Sequence, residues 1–375
     1  MRNFCIVTDS FPPIKNSASS LMYVLSCELS KRYLVDVYTM NSHKNVMDNA
    51  RIISFNCGDI KRRSYFLRAA LELLSSFYFI FYYIIFVRTK YTDVVFYNPS
   101  IFQVFFVQLI KIFYRDCNIK LILRDIFPDW AIDLGLIKAK IAIKILKYFQ
   151  YQNLRVSDVI FCESVNKLKY MKKKFPRFEF DILYNWVKPL DKCERKRKNN
   201  EWIRFIYAGN VGPAQNLECY LSFLKELSCR GIKIDFYAFG EDLEKIKSEL
   251  ILFKNIKFLD VISFDDLNSE LLKSNGGLVF LDPNLDLDNI PGKILSYLSA
   301  GLPVFGFVNK GNELVNIINN NKMGFIGDDV EAMSPNQFCE RVFLSLREVK
   351  PCNIVEKTEM FFSLKSAIEK IIAKK

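Results

Sequence analysis

Short apolar runs of strand length recur along the whole chain, and longer helical stretches separate them. Seven runs precede a polar, basic segment at 189–200, and six follow it. Strands that alternate with helices form parallel sheets covered on both faces, because each helix returns the chain to the same edge. The pattern therefore predicts an α/β fold of two Rossmann-like parallel-sheet domains facing a central cleft, with ligands at the carboxyl ends of strands. The predicted strands are Phe4–Thr8, Val35–Thr39, Ile52–Phe55, Val94–Tyr97, Leu121–Leu123, Val159–Cys162, Ile182–Tyr184, Phe205–Ala208, Ile234–Phe239, Ile256–Leu259, Gly277–Leu281, Val304–Phe307 and Gly324–Ile326.

The length of 375 residues suits two domains. We place the first domain at 1–187 and the second at 188–355, with the boundary at the start of the polar segment. A last amphipathic helix is predicted at 356–375, because apolar residues from Phe361 to Ile372 recur there at helical spacing.

The positive charge is concentrated in the first half of the chain. Residues 1–185 contain 27 Lys and Arg against 15 Asp and Glu, whereas residues 186–375 contain 26 of each. Such asymmetry indicates an anionic substrate, a membrane surface or nucleic acid, or else only a solvated surface. Nucleic acid is disfavoured as a partner, because the aromatic residues lie in apolar runs rather than among the basic residues.

The cysteines and the single histidine exclude several classes of site. No Cys-x-x-Cys pair occurs, and Cys5 and Cys162 lie within predicted strands, so buried thiols in a reducing compartment are expected rather than disulfides. His43 alone cannot supply a Ser-His-Asp triad or a histidine-based metal cluster. The N-terminus lacks the pattern of a signal peptide, so no secretion is expected.

Residues 69–87 form the most aromatic apolar stretch of the chain. Its uninterrupted apolar run, Phe77–Val87, is about half the roughly 20 residues that a membrane-spanning helix needs. A core helix of the first domain and a helix lying in a bilayer surface are both compatible with this pattern. The basic residues Lys61, Arg62 and Arg63 shortly before it would suit the surface helix.

Residues 288–304 form a loop–helix–strand junction with the chemistry of an anion site. Pro291 suits the start of a helix and Gly301 its end. The free N–H groups at a helix start attract an anion, and Lys293 adds a full charge in that first turn. An ordinary αβ connection with a solvated lysine is the alternative, and Leu287 and Ile294 exclude a Walker loop.

The run 291–304, Pro-Gly-Lys-Ile-Leu-Ser-Tyr-Leu-Ser-Ala-Gly-Leu-Pro-Val, resembles the donor-binding helix of glycosyltransferase family 4, retaining enzymes with the GT-B fold. Family members usually carry glutamates at the positions of Asp288 and Ser296, and the second glutamate holds the ribose of the nucleotide. The resemblance implies that Lys293 is catalytic and stabilises charge on the leaving phosphate. It also implies donor contacts by Asp288, Ile290, Pro291, Gly292 and Ser296.

A glycine-containing loop, Gly-Asn-Val-Gly-Pro-Ala-Gln at 209–215, follows the first strand of the second half. Gly209 and Gly212 allow a ligand to approach the backbone closely. Family 4 enzymes usually have Arg and Lys where Asn210 and Gln215 stand, and the neutral pair resembles members that build surface polysaccharides. The resemblance implies that all four residues bind the donor diphosphate, and a plain strand-to-helix turn is the alternative.

Residues 124–135 begin at the end of a predicted strand in the first half. They resemble the Arg-Asp-x-x-Pro-x-Trp segment of amino-sugar transferases that build bacterial O-antigens, including N-acetyl-L-fucosaminyl transferases. The resemblance implies that Asp125 is catalytic toward an acceptor hydroxyl and that Arg124 and Trp130 bind the acceptor. A helix N-cap is the alternative role for Asp125. Ser17, in the first βα loop, is a further acceptor-binding candidate, and it or a neighbouring serine is a candidate cap of the first helix.

Together these resemblances imply a retaining, hexosyltransferase-type enzyme of surface-polysaccharide (O-antigen or capsule) biosynthesis. It would move a sugar such as N-acetylfucosamine from a nucleotide-diphosphate donor, UDP-linked, to an undecaprenyl-diphosphate-linked saccharide bound by residues 1–187. The resemblance also implies that the helix at 356–375 crosses back onto the first domain, and that no metal and no cofactor besides the donor is needed. The expected location is cytoplasmic, at the inner face of the plasma membrane, where the basic first half would meet anionic lipids.

Two other functions remain open at this point. A GT-B sugar-nucleotide 2-epimerase would release a free nucleotide sugar, and the aromatic stretch and basic first half argue against it. A non-catalytic sugar-nucleotide-binding or assembly protein is compatible with the neutral residues at Asn210, Gln215 and Ser296.

Overall fold

The computed structural model describes residues 2–14, 16–42, 49–58, 65–98, 100–133, 135–187, 202–285 and 290–373, with only the backbone of residues 65, 66, 133, 264 and 265. The chain divides into two compact units, one of residues 1–184 with 365–375 and one of residues 185–364. We call them unit 1 and unit 2. The predicted linker at 189–200, His43 and the basic cluster at 61–63 lie outside the described residues.

Unit 1 contains a seven-stranded parallel sheet. Its strands are β1 (Asn3–Thr8), β2 (Leu34–Thr39), β3 (Ala50–Ser54), β4 (Asp93–Asn98), β5 (Asn118–Leu123), β6 (Val159–Cys162) and β7 (Phe180–Ile182), in the order β3-β2-β1-β4-β5-β6-β7. The helices between them are α1 (Ser17–Ser30), α2 (Tyr65–Tyr82), α3 (Val104–Phe113), α4 (Asp129–Asp133), α5 (Lys140–Val156) and α6 (Val165–Lys174). A π-helical turn, Tyr83–Val87, extends α2, and a 3-10 turn, Ile101–Gln103, leads into α3.

Unit 2 repeats this plan with six parallel strands. They are β8 (Arg204–Asn210), β9 (Lys233–Phe239), β10 (Ile256–Leu259), β11 (Gly276–Phe280), β12 (Val304–Phe307) and β13 (Gly324–Gly327), in the order β10-β9-β8-β11-β12-β13. Its helices are α7 (Leu221–Cys229), preceded by a 3-10 turn at Leu217–Tyr220, then α8 (Leu243–Leu250), α9 (Phe264–Lys273), α10 (Gly292–Ser299), α11 (Leu314–Asn320), α12 (Pro335–Glu348) and α13 (Pro351–Phe362). The predicted α/β class with two Rossmann-like parallel sheets is confirmed.

The chain ends in α14 (Leu364–Ile372), most of which belongs to unit 1. There the Lys370 Nζ donates a hydrogen bond of 2.6 Å to the carbonyl oxygen of Ile182, the last residue of β7. The amphipathic C-terminal stretch therefore consists of two helices, α13 and α14, with Ser363 between them, rather than one helix.

Two local predictions were wrong. Strand β7 ends at Ile182, where a strand beginning at Ile182 was expected. The N-cap of α1 is Asn16, whose Oδ1 accepts a 2.8 Å bond from the Ser19 N–H, so no serine caps this helix. Asn and Ser satisfy a free helix N–H equally well, and sequence alone does not rank them.

In unit 2 the sheet parts between β8 and β11, where the strand order changes direction. The ladder between them contains only two residue pairs, Phe205 with Gly276 and Ile206 with Gly277. Beyond it, the Ala208 N–H donates to the Tyr297 hydroxyl at 2.8 Å. The Tyr297 ring fits because a Cβ on Gly277 would lie 2.3 Å from it. Such a switch point is where α/β sheets bind ligands.

Helix α2 is polar on its inner side. The Glu72 carboxylate accepts a 3.0 Å bond from the Ser100 hydroxyl, and Gln103 donates to the Ser75 hydroxyl at 2.7 Å. The outward side of α2 and of its π-helical extension is apolar and exposed, with Leu67, Leu74, Phe77, Phe81, Ile84, Ile85 and Phe86. Among the described residues, Leu67–Val87 is the one helical stretch long and apolar enough to cross a membrane, with a mean hydropathy of 1.8.

We predict that Gly306→Ala strongly destabilises unit 2. Gly306 has φ +143°, and a Cβ there would lie 1.8 Å from the Val279 carbonyl oxygen in the adjacent strand. Steric overlap and backbone strain together should lower the free energy of unfolding by roughly 3 kcal/mol or more. Urea unfolding measures the loss.

Gly231→Ala is the matched control, because Gly231 also has positive φ (+84°) but no atom lies within 4 Å of the added Cβ. It should lose only about 1 kcal/mol. Equal losses in the two variants would contradict the strand contact at Gly306.

Candidate active site

Lys293 lies in the first turn of α10, and its side chain reaches the carboxyl end of β8. Side chains of a helix lean toward its N-terminus, which directs this one at the parted strands. Its Nζ lies 3.6 Å from the centroid of the Tyr207 ring. A Cβ on Gly209 would lie 3.5 Å from the Lys293 Cε, an ordinary van der Waals distance, so the lysine side chain packs against the backbone at 209.

The Lys293 ammonium is enclosed without a counter-ion among the described residues. Other atoms of the residue reach solvent, but Nζ is buried and has no hydrogen-bond partner in the described part of the chain. Burial lowers the pKa of Lys293 to about 7. The start of a helix is also the end where a positive charge is least favourable. Each of these effects would be relieved by an anion bound beside the lysine.

The loop after β8 is folded on itself next to this lysine. The Asn210 Nδ2 donates to the Gln215 Oε1 at 2.9 Å, and the Gln215 N–H donates to the Gly212 carbonyl at the same distance. A Cβ on Gly212 would lie 3.0 Å from the Asn210 Nδ2, so a larger residue there would have to displace the Asn210 side chain. The structure therefore brings Gly209, Asn210, Gly212 and Gln215 together at one strand end.

The remaining candidates on this side are arranged around the helix start. Pro291 is the N-cap position of α10, Gly292 is its first residue, and Ile290 before them is fully buried. Ser296 is half-buried, in the turn after Lys293. Asp288 lies outside the described residues.

In unit 1, Arg124 is the centre of a hydrogen-bonded group at the carboxyl ends of the strands. It follows β5 and donates from Nη1 to the Tyr97 hydroxyl and from Nη2 to the Ser17 hydroxyl, each at 2.9 Å. Its Nε lies 3.9 Å from the Glu163 carboxylate. Burial alone would lower the pKa of Arg124, but Tyr97 and Glu163 raise it above its ordinary value.

Lys167 completes this group. It forms an ion pair with Glu163, and its Nζ donates to the Arg124 carbonyl oxygen at 2.7 Å. The three charged side chains of Arg124, Glu163 and Lys167 therefore carry one net positive charge near the strand ends. A phosphate would complement that charge.

Asp125 and Trp130 lie outside this hydrogen-bonded group. Both side chains are exposed, and Asp125 adds to the raised pKa of Arg124 through its charge. Helix α4 begins at Asp129, so Asp125 is not its N-cap. The Asp129 carboxylate is instead bonded to Lys174 at 2.6 Å, which ties this loop to α6.

Sequence reasoning missed several residues of both groups, namely Tyr97, Glu163, Lys167, Tyr207 and Tyr297. Glu163 directly follows β6, and Tyr97 is the next-to-last residue of β4, whereas Tyr207 is the middle residue of β8. Polar residues at strand ends are therefore a signal that could have found Glu163 and Tyr97. In the sequence, Tyr297 has the pattern of a core residue of an amphipathic helix. Its hydrogen bond from the Ala208 N–H becomes visible only in the structure.

Solved structures match this chain over its full length. Sucrose-phosphate synthase from Thermosynechococcus elongatus has a TM-score of 0.74 at 10% identity, covering 99% of this chain and 97% of that one. WaaG, a glycosyltransferase involved in lipopolysaccharide biosynthesis, has a TM-score of 0.65 at 13% identity over 100% of both chains. HepE from Anabaena, solved in complex with UDP and glucose, has a TM-score of 0.65 at 9% identity, covering 99% of this chain and 98% of that one.

At these identities the likeness defines the fold, which is the GT-B fold of these glycosyltransferases. No family model matches the chain, and no curated protein is significantly similar to it in sequence.

We predict that the affinity for UDP, used as a diphosphate probe, falls as the pH rises above about 7. Without a ligand, Lys293 has a pKa of about 7, and a bound diphosphate would raise that pKa. At a pH between the pKa of the free protein and that of the complex, binding is therefore accompanied by proton uptake. The affinity contributed by Lys293 is therefore complete below pH 7 and falls by up to about tenfold per pH unit above it. Calorimetry between pH 6.5 and 9 would measure this.

Lys293→Met is the control. With this variant the nucleotide still titrates as it does with the wild type, but the titrating lysine is gone. Its affinity should be weaker and independent of pH above 7. A wild-type profile that matches the Lys293→Met profile would contradict a proton-linked contact.

Proposed function

We propose that this protein is a retaining glycosyltransferase of family 4 that builds a bacterial surface polysaccharide, O-antigen or capsule. Unit 2 would bind a UDP-linked sugar, and unit 1 an undecaprenyl-diphosphate-linked saccharide. The observation that carries the proposal is the enclosed, unbalanced ammonium of Lys293 beside the folded loop at 209–215. A GT-B neighbour solved with UDP and glucose, and neighbours named for lipopolysaccharide synthesis, support the substrate classes.

The donor diphosphate would bind where the β8 loop and the start of α10 meet. Backbone N–H groups at Gly209, Gly212 and Gly292 and the amides of Asn210 and Gln215 are the available donors for its oxygens. The ribose and base would extend toward Ser296, whose hydroxyl replaces a charged residue of related enzymes. The apolar wall of this site would be Ile290 and Pro291, and Asp288 would be a further donor contact, as the family resemblance implies.

Lys293 would act when the glycosidic bond breaks. Negative charge then grows on the β-phosphate, and a preorganised ammonium stabilises that charge more than the charge of the ground state. Retention of configuration would follow from a front-face displacement, in which the leaving phosphate accepts the proton of the acceptor hydroxyl. Neither a metal nor a cofactor is required, because Lys293 and helix N–H groups supply the positive charge.

The acceptor would bind at the Arg124 group of unit 1. Arg124 carries a permanent charge, and the net positive charge that it shares with Glu163 and Lys167 suits the diphosphate of a lipid-linked sugar. The exposed Trp130 offers a flat apolar surface for a sugar ring. Asp125 would orient the attacking hydroxyl.

We further propose that unit 1 lies on the inner face of the plasma membrane through α2 and α5. The polar side of α2 is bonded inward, so this helix is held in unit 1, and its apolar side remains for the bilayer. On α5, exposed apolar residues (Ile141, Ile145, Tyr148) alternate with lysines (Lys140, Lys144, Lys147). This combination suits anionic lipids, at about 1 kcal/mol for each basic residue near the surface.

Transfer activity tests the enzymatic proposal. Purified protein is incubated with a panel of nucleotide sugars and a synthetic polyprenyl-diphosphate sugar, and products are identified by mass spectrometry. We predict that Lys293→Ala lowers turnover by about a hundredfold or more, the scale of losing one transition-state donor. Lys225→Ala, which removes a lysine ion-paired with Glu249, should retain wild-type turnover.

The products also separate the other functions. An epimerised free nucleotide sugar without lipid product would indicate the 2-epimerase. UDP binding without any product would indicate the sugar-nucleotide-binding protein.

We predict that the paired substitution Phe81→Ser and Phe86→Ser weakens binding to anionic vesicles by at least about tenfold, because each exposed ring would lose its apolar burial. Sedimentation with phosphatidylglycerol-containing vesicles measures the bound fraction. Leu252→Ser is the control, since Leu252 is an 88% exposed residue of unit 2. Equal binding by the wild type and the paired variant would remove α2 from the membrane proposal.

A further inference from the structure

The Tyr207 ring is held in place by one hydrogen bond and by two neighbouring aromatic rings. Its hydroxyl donates a 2.6 Å bond to the Asn210 carbonyl oxygen, three residues later on the same strand. The ring packs against Phe236 at 5.2 Å and is stacked with Phe280 at 6.5 Å between centroids. Burial keeps this phenol neutral, since it raises the pKa of Tyr207 well above its ordinary value.

One further contact at Tyr207 is unusual for a core residue. The Lys293 Nζ lies over it, 3.6 Å from the centroid, where the negative face of the ring attracts a cation. In the described residues the same nitrogen has no hydrogen bond, and its pKa is displaced by burial alone, with no carboxylate beside it. Tyr297, the neighbouring phenol, is also neutral, because burial raises its pKa. The ring is therefore the one described group that favours the charged form of Lys293.

We propose that Tyr207 is a positioning residue of the donor site, whose ring holds the Lys293 ammonium at the carboxyl end of β8 before the donor binds. This inference rests on the proposed role of Lys293 in binding the donor. The ring keeps the ammonium both charged and beside the loop at 209–215. The diphosphate then meets a cation that is already in place. The entropy cost of ordering the lysine side chain therefore does not reduce the binding affinity.

The surrounding backbone is built to allow this contact. The Lys293 Cε lies 3.5 Å from where a Cβ on Gly209 would be, so the lysine packs against the backbone two residues after Tyr207. The Tyr297 hydroxyl satisfies the Ala208 N–H, so β8 needs no ladder partner at the point where the lysine arrives.

The test measures the pKa of Lys293 in the protein without nucleotide, by NMR of ¹³C-labelled lysine, together with UDP affinity at pH 8. Tyr207→Phe keeps the ring and should retain both values. Tyr207→Leu should lower the lysine pKa by about one pH unit or more and weaken UDP binding by about tenfold. Unchanged values in Tyr207→Leu would overturn the proposal.

Tyr220→Leu is the matched control for lost packing. Tyr220 is also fully buried in unit 2, is stacked on Phe280 and donates its hydroxyl hydrogen to the Leu281 carbonyl. This variant should lose comparable stability and leave the lysine pKa and UDP affinity unchanged. A loss of UDP affinity equal to that of Tyr207→Leu would assign the effect to packing and overturn the proposal.

If Tyr207→Leu does not fold, fluorinated phenylalanines at position 207 decide the matter. Fluorination weakens the negative face of the ring and nearly preserves its shape, so the lysine pKa should fall stepwise with the number of fluorine atoms. A constant lysine pKa across the series would reject the ring's role. Absence of UDP binding by the wild type would reject the proposed function. The lysine pKa values in the fluorinated series would still test the contact between Lys293 and the Tyr207 ring.

Discussion

The site in unit 2 depends on one unbalanced charge. Lys293 is in the first turn of a helix, where the macrodipole opposes a cation, and its nitrogen is shielded from water without a carboxylate among the described residues. Removing a charge from water is costly unless something compensates it. The Tyr207 ring offsets part of this desolvation cost, and the part that is not offset lowers the pKa of Lys293. The anionic donor that we propose for this site would balance the charge, beside the short ladder between β8 and β11.

In unit 1, by contrast, the buried charged side chains have partners. Lys120 is paired with Asp93 at 2.6 Å, Lys167 is paired with Glu163, and Arg124 is bonded to neutral hydroxyls as well as facing Glu163. An anion arriving at Arg124 therefore competes with existing contacts, whereas one arriving at Lys293 does not. The expected consequence is weaker, more readily reversed binding in unit 1. Such binding would suit the acceptor that we propose for unit 1, because its product must leave after one sugar is added.

The fold predicted from the sequence is confirmed, whereas the sequence singled out only some of the residues that the structure groups into the candidate sites. Fully buried parallel strands appear as continuous apolar runs, and β4, buried at all six positions, is an example. Lys293 was singled out as a candidate because a lysine after a proline and a glycine at a helix start lies where an anion is favoured. Glu163 and Lys167 were missed because their partner Arg124 lies about 40 residues earlier in the chain, and only the adjacency of β5 and β6 brings them together.

Helix α2 illustrates why periodicity has limits. Its spacing places Arg68, Glu72 and Ser75 on one face, but the pattern cannot say whether that face turns toward water or toward the protein. In the structure it turns inward, because Arg68 and Ser100 give the Glu72 carboxylate charge-assisted partners at 2.9 and 3.0 Å. Burial still raises the pKa of Glu72, so these bonds offset its desolvation only in part.

This inward face links the proposed membrane surface to the strand ends. Arg68 lies 4.0 Å from Asp9, which directly follows β1, and Ser100 follows β4 by two residues. These two strands flank the switch point of the unit 1 sheet, so α2 is bonded to the edge at which a parallel sheet binds its ligand. A helix whose outer side met the bilayer would thus be anchored where a lipid-linked acceptor must present its sugar. Polar residues inside and apolar residues outside are what such a position requires.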